Sequence, residues 1–182
     1  MVGLEAYPSR LDALHATVAP GFYVASVRGH VLASVGTLGS AGPESLLRLG
    51  LACTAAPPSA VRDRAAFADG LLAMQLDVLR RTLTGAMARL DGRVSEGTSL
   101  LGRPQVQADL ADVAMVIQET AAEPAGTWRG RWACHLRMVG AGRRLLRLFG
   151  GHAMLLDSPA GDLYLTEVAG NLYLQEQADD QD

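Results

Sequence analysis

From about Ala60 to Leu90 the apolar residues Leu71, Leu72, Leu76, Leu79, Leu83, Met87 and Leu90 recur at three- and four-residue spacing. That period predicts one long helix with a single buried stripe. Pro57-Pro58 breaks the chain ahead of it, with Ser59 as its cap. Asp91-Gly92 ends it, because glycine relieves the left-handed geometry common at a helix C-terminus. A second helix starts at Pro104, where a first-turn proline is tolerated, and runs through Val106, Leu110, Val113 and Ile117 to about Thr120. Thr127 caps a third, carrying Trp128, Trp132, Leu136, Val139, Leu146 and Phe149 as apolar positions, and Gly150-Gly151 stops it. Ser158-Pro159 opens a fourth, with Leu163, Val168 and Leu172 on its apolar side. Four helices with short connections pack most simply as an antiparallel up-and-down bundle.

Residues 1–58 follow a different pattern, rich in Gly, Pro, Ser and small β-branched side chains. Phe22–Val27 and Val31–Val35 flank Arg28-Gly29-His30 and predict two short strands joined as a hairpin. Ser9–Val18 predicts a short helix with Leu11, Leu14 and Val18 on one face, and Pro43 opens another. The expected organisation is therefore a β-containing N-terminal region (1–58), a helical bundle (59–177) and an acidic tail (178–182), in a mainly α protein.

Composition narrows the chemistry. The formal net charge is −3 and the sequence pI about 5.8, which gives no general attraction to nucleic acid or to anionic membranes. All sixteen basic residues are arginine, so lysine-based chemistry is excluded. Cys53 and Cys134 stand far apart and are expected to be reduced and buried. Neither a secretory leader nor an apolar run of about 18 residues is present, which leads to the expectation of a cytoplasmic protein.

A set of ordered motifs carries the most specific signal: Arg93-Val-Ser-Glu-Gly97, then Gln105, then Leu110-Ala111-Asp112, and finally Phe149-Gly150-Gly151. Over roughly Ala65 to Glu176 this order resembles the C-terminal helical domain of acyl-CoA dehydrogenases, flavoenzymes that desaturate acyl thioesters. The resemblance implies that Arg93, Gly97, Gln105, Arg147, Gly150 and Gly151 face FAD, partly across a subunit interface. Departures from the pattern are equally specific. Glu96 replaces a phenylalanine, Pro104 falls where the family has glutamine, and Gln105 follows one position later, about 100° around the helix. Arg147 takes the place of another glutamine, and Ala153 that of a glycine.

The family's catalytic glutamate falls on Leu174, and the alternative base position on Phe67; neither accepts a proton. Glu176 is the remaining acidic candidate, and it requires a two-residue insertion in the fourth helix. The resemblance therefore implies a small non-catalytic or half-site subunit, a homo-oligomer or a partner of a larger acyl-CoA dehydrogenase-like subunit, with FAD and an acyl thioester as ligands. The alternative is a flavin-free pseudoenzyme of the same fold that serves as a scaffold or binds or cyclises a small molecule.

Other constellations are weaker. His15, His30, His135 and His152 show no metal-ligand spacing, and His152, beside the two glycines, is the one best placed for a role. Arg137, Arg143, Arg144 and Arg147 form a cationic strip suited either to an anionic ligand such as a CoA phosphate or simply to a solvated helix face.

Overall fold

The computed structural model describes residues 6–61, 64–122, 126–150 and 159–175. It is mainly helical, with a small two-stranded antiparallel sheet. In chain order the elements are α1 (Tyr7–Val18), β1 (His30–Ser34), α2 (Val35–Leu38), α3 (Glu44–Leu47), β2 (Leu51–Ala55), α4 (Ala65–Asp91), β3 (Val94–Ser95), β4 (Thr98–Ser99), α5 (Pro104–Ala122), α6 (Trp128–Phe149) and α7 (Pro159–Tyr173). A single 3-10 turn, Leu100–Gly102, precedes α5. The chain divides into two compact units, the first of residues 1–72 with 165–182 and the second Ala73–Tyr164.

In the first unit the N-terminal hairpin expected from sequence does not form. β1 pairs instead with β2, in the antiparallel register Leu32 to Cys53 and Ala33 to Ala52. The segment expected as its partner closes only one bridge, Val24 with Val61, and Phe22 is 51% exposed. The turn at 26–29 is real: the Ser26 N–H donates to the His30 carbonyl at 2.8 Å, and Gly29 has φ +71°. Leu51 and Ala52, the β2 partners of Ser34 and Ala33, are buried at 0%, and Val24 is buried as well but bridges Val61 instead of β1. Val35 leaves the strand for α2, whose start is capped by Ser34 Oγ accepting from the Thr37 N–H at 3.2 Å.

The outer edge of β2 is covered by a loop, the Cys53 N–H donating to the Ala41 carbonyl at 2.9 Å. Gly42 makes this approach feasible. It sits at φ +110°, and a Cβ there would lie 3.0 Å from both the nitrogen and the oxygen of Cys53.

Helix ends follow the sequence signals unevenly. α4 starts at Ala65, not at Ala60, and Ser59 sits in a turn in which the Ala60 N–H donates to the Pro57 carbonyl. α5 starts at Pro104 as expected, and Thr127 caps α6, its Oγ1 accepting from the Gly130 N–H at 3.0 Å. Gly92 does not take the left-handed conformation; the positive φ values after α4 fall at Glu96 and Gly97. Ser158 and Gly151 lie outside the described residues.

The buried faces also differ from the expected stripes. On α4, Met87 is 44% exposed, while Phe67, Ala68, Met74, Val78 and Ala86 join the core. On α6 the large apolar side chains mislead: Leu136 is 48% exposed, and the buried face is Cys134, His135, Met138, Ala141, Gly142, Leu145 and Phe149. Gly142 takes its place among these because the Leu163 side chain packs close against it. A Cβ on Gly142 would lie 3.1 Å from Leu163 Cδ2. Of the cysteines, both free, Cys134 is buried and Cys53 only partly so.

Candidate functional site

The second unit holds the residues that the motifs single out. After α4 the chain makes a minimal hairpin in which Val94-Ser95 pairs with Thr98-Ser99. Its two central residues, Glu96 at φ 56° and Gly97 at φ 79°, both occupy the left-handed region, as a two-residue turn that matches strand twist demands. The hairpin is tied down locally. The Leu100 N–H donates to the Arg93 carbonyl at 2.8 Å, Ser99 Oγ donates to the Leu90 and Asp91 carbonyls at 3.2 Å, and Arg103 reaches Ser95 Oγ at 3.1 Å. Gly97 is thus a glycine the turn itself requires.

α5 and α6 run antiparallel. Arg144 pairs with Asp112, and Arg137 with Glu119 at 3.5 Å, so each step along one helix is matched by a step back along the other. Continuing that register sets Arg147 opposite Asp109 and Gly150 opposite Val106. The C-terminal end of α6 therefore meets the end of α5 that carries Gln105, directly after the Arg93–Gly97 hairpin. By that register Arg93, Gly97, Gln105, Arg147 and Gly150 all fall on segments at this end, and all five are exposed. The Gly150 N–H is already committed, donating to the Arg147 carbonyl as a helix cap with φ 57°. Gly151, His152 and Glu176 lie outside the described residues, as does Ala153.

Chemically this end offers two guanidinium groups suited to bidentate phosphate or carboxylate recognition, and a carboxamide. Among the described residues it offers no buried acid or base. Between the same two helices lies a groove of about 320 Å³ with an apolar floor of Val113, Val116, Leu136 and Ala141.

The first unit holds a buried polar centre that the sequence reading missed. The hydrogen bonds from Val35 N–H to the Gly50 carbonyl and from Ala56 N–H to the Gly29 carbonyl fix which β1 residues face β2. Residues 30, 32 and 34 consequently turn their backbone groups outward, where side chains meet them. Ser26 Oγ accepts from the His30 N–H at 3.0 Å, and Asp12 Oδ1 accepts from the Ser34 N–H at 2.8 Å. At the centre the Leu32 N–H donates to the Tyr173 hydroxyl at 2.9 Å, and His15 Nε2 donates to the Leu32 carbonyl at 2.9 Å. His15 Nδ1 accepts from the Val24 N–H at 3.1 Å, so the ring is held neutral in one tautomer. Phe67 lies tilted against the His15 ring at 4.5 Å and meets the Tyr173 ring edge to face at 4.8 Å.

Burial lowers the His15 pKa below its ordinary 6.5 and raises that of Tyr173 far above 10. Neither group is poised for proton transfer at neutral pH. Phe67 and Leu174, the two positions that the family resemblance assigns to the base, are each 0% exposed in this core. A different buried pair sits in the second unit, where His135 Nδ1 meets Gln75 Oε1 at 2.9 Å. Among the described residues no group of three His, Cys, Asp or Glu side chains is arranged to hold a metal ion, and no helix is long and apolar enough to cross a membrane.

No protein-family model matches this sequence, and a search of curated proteins finds no match either.

Proposed function

We propose that this chain is an acyl-CoA dehydrogenase-like protein acting as a small non-catalytic or half-site subunit. It would supply the helical side of an FAD site whose other side belongs to a larger dehydrogenase-like subunit. On this reading α4 to α7 form the antiparallel four-helix bundle, and an acyl thioester occupies the larger subunit. What supports the proposal is the antiparallel register of α5 and α6, which sets the segments carrying Arg93, Gly97, Gln105, Arg147 and Gly150 at one end of the pair, every one of these residues exposed. Residues that bind a cofactor within one chain normally line a concavity, so an exposed set fits a site completed by another surface.

The fit to FAD is partial. Arg93 and Arg147 would hold its pyrophosphate and Gln105 would donate an amide hydrogen bond, whereas the Gly150 N–H is spent on its own helix. The flavin, when bound, accepts hydride as the thioester is oxidised. This chain contributes charge and position only. With Phe67 and Leu174 as apolar core it holds no proton acceptor at either family position.

The committed Gly150 amide and the self-contained Glu96-Gly97 turn favour one alternative, a flavin-free pseudoenzyme that serves as a scaffold or small-molecule binding protein. Co-expression with a full-length acyl-CoA dehydrogenase homologue encoded beside it separates the two. The half-site reading expects a stable yellow complex, a colourless chain when purified alone, and flavin loss in Arg93→Ala with Arg147→Ala while the complex persists. A complex whose flavin content ignores both substitutions, or no complex at all, would overturn it.

A further inference from the structure

We propose that His15 is an acid-released latch on the strap of residues 20–25, and that protonating its ring frees this strap while α1 and the β1–β2 sheet stay in place. The inference is independent of the flavin reading, because it concerns the first unit alone.

The strap runs from the end of α1 to the turn at 26–29. Its central residue, Val24, is 0% exposed and points its N–H at the ring, donating to His15 Nδ1 at 3.1 Å. On either side the Ala25 N–H donates to the Val61 carbonyl at 3.0 Å, and the Val61 N–H donates to the Tyr23 carbonyl at 2.8 Å. The strap is thus moored to the ring on one edge and to a single residue on the other.

The two ring nitrogens respond differently to a proton. Nε2 donates to the Leu32 carbonyl at 2.9 Å, and it is a donor in the charged ring as in the neutral one. Nδ1 accepts from Val24 only while it is unprotonated; a proton there sets donor against donor. Charging His15 therefore keeps α1 tied to β1 and breaks the tie to Val24. That asymmetry makes the response local.

The groups around the ring allow the charge once the strap has left. Asp12, one turn earlier on α1, draws the proton in, with its two oxygens engaged by the Ser34 N–H and the Thr37 hydroxyl. The strap contributes Tyr23, edge-on at 5.6 Å, and α7 contributes Tyr173 at 6.2 Å, whose hydroxyl stays neutral. α4 contributes Phe67 at 4.5 Å, which does not titrate, and β1 the Leu32 carbonyl. Aromatic rings at such distances attract a cation. What opposes the charge is burial, which holds the ring below its ordinary 6.5, and release of Val24 admits water to that side. Release also uncovers Val24 and Ala25 next to Phe22, already half exposed, so a continuous apolar segment is presented only in acid.

The test follows amide hydrogen exchange and the His15 ring signals by NMR on the full chain, from about pH 7.5 downward, with exchange rates divided by their intrinsic values. The released ring has an ordinary pKa and the latched ring a lower one, so the ratio of released to latched chains rises about tenfold per pH unit below about 6.5, until the latched ring itself titrates. Protection of the Val24, Ala25 and Val61 amides is expected to fall by that factor and to vanish while Val31 and Ala33, paired with β2, keep at least about 100-fold protection. His15→Gln, whose amide donates and accepts without titrating, should flatten the fall.

Equal protection of all five amides at every pH, the mark of one global opening, overturns the proposal. So does a strap that stays protected after the ring has titrated, or a pH slope that His15→Gln retains. Should His15→Gln not fold, the comparison of the two groups of amides in the unaltered chain decides alone.

Discussion

Tyr173→Phe isolates one hydrogen bond in the β1 edge. The substitution keeps the ring, its 4.8 Å contact with Phe67 and nearly all of its buried area, and removes only the hydroxyl that accepts from the Leu32 N–H at 2.9 Å. Leu32 is 0% exposed, and its N–H faces away from β2, so water cannot replace the lost acceptor without opening the unit. A buried donor left unpaired costs about 1–3 kcal/mol, whereas loss of an exposed hydrogen bond costs a fraction of that. For a chain of this size each kcal/mol corresponds to about 2–4 °C in Tm. The expected result is a Tm lowered by about 2–12 °C, with faster hydrogen exchange at the Leu32 amide. Calorimetry and amide exchange read the two quantities independently. An unchanged Tm together with a still-protected Leu32 amide would refute the argument that side chains, rather than a third strand, satisfy this edge.

Two further outcomes follow from the same reasoning. His15 is buried and neutral, and its folded pKa lies below the unfolded 6.5, so the unfolded chain binds more protons between those two values. Its contribution is therefore fully present above about pH 6.5 and is lost as pH falls toward the folded value. Thermal melts from pH 7.5 downward should show a decline that is shallower in His15→Phe; equal slopes in the two proteins would sink this reading. Glu96 holds φ 56° in a turn that favours Asn-Gly, and its carboxylate is 89% exposed beside Arg103. Glu96→Asn should raise stability by roughly 1 kcal/mol, read as a small rise in the denaturation midpoint, because the relieved strain exceeds the value of an exposed ion pair.

The long helices were legible because their signals are local. Pro104, Thr127 and the glycine after Phe149 mark ends through the hydrogen-bonding and φ requirements of single residues, and the structure uses each of them. Which face of α6 is buried was not legible. Sequence periodicity weights large apolar side chains, but the inward face mixes Met138, Leu145 and Phe149 with His135, Cys134, Ala141 and Gly142, and at Gly142 the Leu163 side chain packs too close for anything bulkier. The N-terminal strands failed for another reason. Val31–Ser34 reads as a strand from either neighbour, and its pairing with Leu51–Ala55 while Val24 bridges Val61 joins segments about 20 to 40 residues apart, which no local spacing encodes.

The candidate site divides in the same manner. Arg93, Gly97, Gln105, Arg147 and Gly150 could be named from order and spacing, but their gathering at one exposed end follows from the antiparallel register of α5 and α6. The His15–Leu32–Tyr173 centre left no spacing to find, since its members are 17 and 141 residues apart from Leu32 in sequence. By itself the sequence determined a mainly helical chain, most of its helix ends and the arginine-only charge pattern, all consequences of interactions within a turn or two. Tertiary structure decided the strand pairing, the buried faces and the neutral state of His15, because each depends on which distant groups exclude water together.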